Sequence, residues 1–166
     1  MSIAYDEYLK KHISTVHKLY DIIYGEPWEK DHKYSHDGSK YTKEEYPYYD
    51  LHWYGERSDD PRELDNYNKA WLHHCHFNAH HWEHWVAVDE GRLVPVEMDE
   101  FYLRELVCDW ASFSFLKKNP EGLIDWWEDH KENIILHPNT KEKLLKELPR
   151  AVEKMKKYFG NLEGNN

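Results

Sequence analysis

The sequence predicts an all-α protein. Apolar residues recur at helical spacing over 3–24, about 100–117 and about 139–159, and cap or stop residues bracket those runs. No stretch alternates apolar and polar residues with the period of a strand. At 166 residues the chain can bury a core without disulfide staples. A single compact helical domain over 1–160 is expected, with a frayed tail at 161–166.

The first helix, 3–24, carries Ile3, Tyr8, Ile13, Val16, Leu19, Tyr20 and Ile23 roughly on one stripe, and Gly25 is placed to stop it. His12 lies beside that stripe and is expected to face inward, as a core histidine or a ligand. After Pro27, a short helical piece over about 28–36 delivers the run HDGSK at 36–40. Thr42 and Glu45 match a capping box for a helix over 43–54, with Pro47 in its first turn. The polar run 55–62 reads as a surface loop; its Arg57 is a solvated charge or a phosphate contact. A helix over about 63–76 follows, and a break is expected near Asn78 and Ala79. Residues 89–98, with Gly91 and Pro95, read as a loop before Asp99, a fair cap for the helix over about 100–117. A short tryptophan-bearing helix is expected over 120–131. Asn139 and Glu142 box the start of the last helix, which Pro149 is expected to kink.

Lysine and arginine total 22 against 32 acidic residues, a formal charge of −10 that argues against binding a nucleic-acid duplex. A small phosphorylated substrate remains compatible, because bound cations invert a local field. Two cysteines, Cys75 and Cys108, do not make a disulfide framework. The chain has no apolar run of membrane-spanning length and no signal-peptide core. A cytoplasmic protein is expected.

The chemistry concentrates in AWLHHCHFNAHHWEHW, residues 70–85, which holds six of the 13 histidines and three of the eight tryptophans. Imidazole is the commonest metal ligand, so this run reads as part of a metal centre, against the bland reading of surface and capping histidines. His73, His76, His80 and His84 share one helical row and His74 and His81 another if the helix is unbroken. With a break, the pairs His73/His74 and His80/His81 fold toward a common centre. His36 and Asp37 offer nitrogen and oxygen to one ion, Gly38 allows a sharp turn, and Lys40 is near enough to meet an anionic oxygen. Asp109 stands in an apolar run, where a carboxylate needs a cationic partner or a metal.

In chain order, His12, His36-Asp37, the histidine cluster and Asp109 resemble the H…HD…H…H…D pattern of the HD-domain superfamily of metal-dependent phosphohydrolases. HDGSK is similar to a variant motif in some of those enzymes. At finer grain, HDGSKYTKEEY at 36–46, AWLHHCHFNAHHWEHW and LVCDW at 106–110 resemble a small uncharacterised domain family of bacteria and their phages. The superfamily resemblance implies an HD-like helical fold holding one or two divalent transition ions, Mn, Fe, Co, Ni or Zn. It implies a first site of His12, His36, Asp37 and Asp109. Asp37 would bridge to a second site completed by two of His73, His74, His80 and His81. The implied activity is phosphohydrolysis of a small substrate, a nucleotide mono- or diester, with Asp37 and Lys40 catalytic and Lys40, Arg57 and Trp82 meeting the substrate. Two alternatives share this ligand set: an HD-like di-iron oxygenase, and a non-catalytic protein that binds or sequesters a signal nucleotide. A plain helical scaffold is the third.

Overall fold

The computed structural model describes residues 2–28, 35–56 and 60–163. Six α-helices dominate: α1 Ile3–Tyr24, α2 Tyr46–Tyr54, α3 Pro61–Phe77, α4 Glu100–Leu116, α5 Gly122–His130 and α6 Pro138–Glu163. The mostly helical class holds, and the expected α1 is found with its expected ends. Ser2 Oγ accepts the Tyr5 amide at its start, and Gly25, at φ 74°, caps its end by donating to Asp21 O. The buried face is rotated from the expected stripe: Tyr5 and Leu9 turn inward, whereas Ile3 is 77 % exposed. His12 lies within that buried face.

One expectation is overturned between Trp85 and Met98. Strands β1 Val86–Asp89 and β2 Arg92–Pro95 pair antiparallel, with Val86 opposite Pro95 and Asp89 opposite Arg92. Glu90 and Gly91, both at positive φ (46° and 77°), make the two-residue turn that matches strand twist. The hairpin was not legible because Val88, Leu93 and Val94 are all exposed. Without a buried face, a strand has no reason to alternate.

Other boundaries shift for local reasons. The Thr42–Glu45 capping box does not form; α2 begins at Tyr46 with Pro47 in its first turn, and the Glu45 side chain is drawn inward. Asp60 caps α3, whose start is therefore Pro61. The α6 box is also absent: Asn139 donates to Glu97, Glu142 pairs with Lys146, and the backbone N–H of Asn139 finds His137 Nδ1. Helix α6 continues through Pro149 to Glu163, two residues past the expected start of the frayed tail. Most of the helix expected over 28–36, and Arg57, lie outside the described residues.

Two apolar clusters form. The larger joins α1, α4, α5 and α6 through residues such as Val16, Leu19, Leu106, Leu123, Leu144 and Leu148. The smaller joins α1, α2 and α3 through Tyr5, Leu9, Tyr46, Tyr49 and Ala70. On α1, His12 falls between Leu9 of one cluster and Val16 of the other. Polar chemistry is thus set at their junction. Among the described residues no helix is long and apolar enough to cross a membrane.

Candidate metal centre

The junction is built from four pieces of backbone. Helix α1 contributes His12 and α4 contributes Asp109, Glu105 and Ser112. Residues 36 and 37 turn into a 3-10 helix, Gly38–Tyr41, at whose start Asp37 takes the left-handed conformation (φ 57°, ψ 19°). The sharp bend expected of Gly38 is therefore made by Asp37 itself. A non-glycine residue held there carries strain that commonly marks functional positions. Helix α3 contributes His74, and stops where Asn78 leaves helical geometry and caps His74 O with its side-chain amide. The break returns His80 and His81 to the same centre.

Two donor sets share Asp37. In the first, His12 Nε2 lies 3.2 Å from both Asp37 Oδ2 and Asp109 Oδ1. His36 Nε2 lies 3.5 and 3.6 Å from the same oxygens and 3.3 Å from His12 Nε2. In the second, Asp37 Oδ1 lies 3.2 Å from His74 Nε2 and 3.4 Å from His80 Nε2, with His81 alongside. Ligands bonded at about 2.0–2.2 Å to one ion stand roughly 3.0–3.6 Å apart in tetrahedral or octahedral geometry. The distances given for both sets fall in or close to that range, and the four donor atoms of the second lie within 4.8 Å of one another.

The fit to a cation is also chemical. Asp37 Oδ1 and the Nε2 atoms of His74, His80 and His81 are buried and make no hydrogen bond. Four convergent buried polar atoms left without hydrogen bonds would each cost free energy unless a cation meets them. Behind them, the outer ring nitrogens are held in a carboxylate–histidine pattern typical of metal ligands. Glu105 Oε1 accepts from His36 Nδ1 (2.8 Å) and from His80 Nδ1 (3.0 Å). Glu45 Oε2 accepts from His74 Nδ1 at 2.8 Å. An ionised carboxylate can only accept, so these rings carry their proton on Nδ1 and aim Nε2 inward. His12 Nδ1 faces Ser112 Oγ at 3.3 Å.

Electrostatics agree. Four carboxylates, Asp37, Glu45, Glu105 and Asp109, are buried here, and the Lys40 ammonium lies 2.6 Å from Asp37 Oδ2. Burial pushes the Asp37 and Asp109 carboxyls up, but their neighbours hold both well below their usual range: His36 and Lys40 for Asp37, His12 and His36 for Asp109. Glu105 falls to about 2 because hydrogen bonds from His36 and His80 outweigh its burial. Burial opposes charge on His12 and His80, yet the facing carboxylates raise them to about 9 and about 10. Protons on these rings supply positive charge that a metal ion would otherwise supply.

The remaining expected residues are distributed as follows. His73 does not join either donor set; its Nδ1 binds Glu45 Oε1 at 2.6 Å and its ring stacks on Phe77. Adjacent residues on a helix point about 100° apart, so His73 and His74 cannot both face the centre. Lys40 and Trp82 line a cleft of about 960 Å³ whose floor includes His12, His81 and Asp109. A further grouping, Cys75, His81 and Glu83, lies on the outer side of His81; burial pushes the Cys75 thiol up to about 12. Glu45, Glu105 and Ser112 were missed as site residues in the sequence, and Asn78 was expected only as part of the break. The available signal was Glu105, which stands four residues before Asp109 and so on the same helical face.

No curated protein and no solved structure matches the chain. The sequence profile of the Family of unknown function (DUF5662) matches residues 1–150. The chain therefore belongs to that family, and the buried histidine–carboxylate centre described above is formed entirely by residues within the matched span.

Proposed function

We propose that this protein is a metal-dependent phosphohydrolase of HD-like design, acting on a small phosphorylated substrate, a nucleotide mono- or diester. The observation that carries the reading is the convergence of three buried, hydrogen-bond-free imidazole nitrogens on an equally bare Asp37 Oδ1, beside a second set on its other oxygen. His12, His36, Asp37 and Asp109 would hold one divalent ion, and Asp37, His74, His80 and His81 the other. Ions of the Mn, Fe, Co, Ni or Zn class supply Lewis acidity to a phosphoryl oxygen and lower the pKa of a water near it. The chain's own residues do the rest. Glu45 and Glu105 orient the imidazoles, Asp37 keeps the two donor sets adjacent, and Lys40 on the cleft floor offsets charge on the phosphoryl group. Trp82 in the cleft wall shields that group from bulk water.

The test is elemental analysis of untagged protein, paired with a phosphoester assay. Two ions per chain are expected, lost together with hydrolysis in Asp37→Ala while the helical circular dichroism is kept. Hydrolysis that survives complete removal of metal would refute the reading. The donor set is all nitrogen and oxygen, which also suits iron. Iron in the protein with oxygen uptake and no phosphoester turnover would favour a di-iron oxygenase. Stoichiometric retention of a nucleotide without turnover would favour a sequestering protein.

A further inference from the structure

The cleft above the centre has two aromatic sides, and the ring of His12 stands between them. On one side Tyr8 stacks on His12 (centroids 5.9 Å, planes 4° apart) and leads to Tyr54 and Trp53. On the other, Phe113 meets the His12 ring at 5.6 Å, and Trp110 packs on Trp126 at 4.7 Å. These walls belong to different elements, α1 and α2 on one side and α4 and α5 on the other. The outermost ring of each is open to solvent: Trp53 is 63 % exposed and Trp126 37 %. Both indoles are held by neighbouring rings, Trp53 by Tyr67 and Trp126 by Trp110 and by His130, which stacks on it at 4.5 Å, and both line the cleft, as stacking platforms do.

The charge distribution limits what sits between them. Apart from Lys40 on the floor, Lys117 is the one lysine or arginine among the described lining residues, and Glu83 stands in the same wall. A triphosphate needs a cation for each group beyond the floor, and the described lining residues add only Lys117. At about 960 Å³ the cleft is at the upper end of the usual range for small-ligand sites. A mononucleotide would use one wall and leave the other without a role.

We propose that the substrate is a phosphodiester with an aromatic base on each side, a linear dinucleoside monophosphate. Its single phosphate sits on the floor and one base stacks against each wall. The proposal rests on the phosphohydrolase reading and narrows it from monoesters and diesters to two-sided diesters. Hydrolysis adds the oxygen of one water to phosphorus, breaks one P–O ester bond and leaves a proton on the departing alkoxide. The products are a nucleotide and a nucleoside.

The experiment compares the metal-loaded protein on a dinucleoside monophosphate and on the corresponding nucleoside methyl phosphodiester, which lacks one base. The second base is expected to raise kcat/KM about five- to 100-fold, the range for one base on an aromatic side chain. That ratio should fall toward one in Trp53→Ala and in Trp126→Ala, and be kept in the Trp→Phe variant at each position. Both tryptophans are solvent-exposed, so the substitutions are compatible with folding. Equal rates on the two substrates, or a ratio indifferent to either tryptophan, would overturn the proposal and leave the phosphohydrolase reading intact. Absence of metal-dependent hydrolysis on every phosphoester would sink that reading. The proposal, which names a substrate of that activity, falls with it.

Discussion

At the residue scale, two carboxylates organise the centre in different ways. Asp37 presents one oxygen to each donor set, and its left-handed backbone aims both inward. Glu105 does the converse: a single oxygen accepts a hydrogen bond from His36 of one set and from His80 of the other. Removing its charge should therefore weaken both ions at once. Glu105→Gln is expected to lower affinity at both sites by about 10- to 100-fold, measured by competition with a calibrated chelator. Loss at one site alone would mean that the shared oxygen is not what holds both rings. Direct donors were legible because histidine and aspartate at such spacings have few cheap structural explanations. Their supporting carboxylates were not, since Glu45 fits a capping box equally well and only the tertiary fold turns it toward His73 and His74.

At the element scale, α1 and α4 form the rigid frame. Leu9, His12 and Val16 share one face of α1, as do Glu105, Asp109 and Ser112 on α4, so the apolar packing of the pair sets the donor spacing. Leu106, 1 % exposed within the larger cluster, carries part of that packing. Leu106→Ala should cost about 2–5 kcal/mol in chemical denaturation through lost burial and a residual cavity. A cost below 1 kcal/mol would show that the site collapses freely. The ends of α1 and the break after α3 were readable from Gly25 and Asn78. The hairpin was not, because two exposed four-residue strands leave no periodic trace.

At the scale of the whole molecule, the centre is a local concentration of buried negative charge in a chain of net charge −10. Burying carboxylates without full compensation destabilises the fold, and a bound cation returns that free energy as linkage. Ions held at a thousand-fold excess over Kd contribute about 4 kcal/mol to unfolding free energy. Chelation should therefore lower Tm by roughly 10 °C for a chain of this size. Asp37→Ala should abolish the difference between metal-loaded and stripped protein. A Tm indifferent to metal in the wild type would mean that the protonated histidines already satisfy the site.

The sequence alone determined the helical class, most helix positions, the break that folds His80 and His81 back, and the residue types of a centre that could hold a metal ion. Those properties are local: periodicity, capping and chemical identity act over a few residues. Which ring of His73 and His74 faces inward, how Asp37 bridges two donor sets, and which glutamates hold the imidazoles were decided by tertiary packing. They depend on helix phase and on contacts between residues 24 to 100 positions apart. Only burying α1 against α4 brings those residues together.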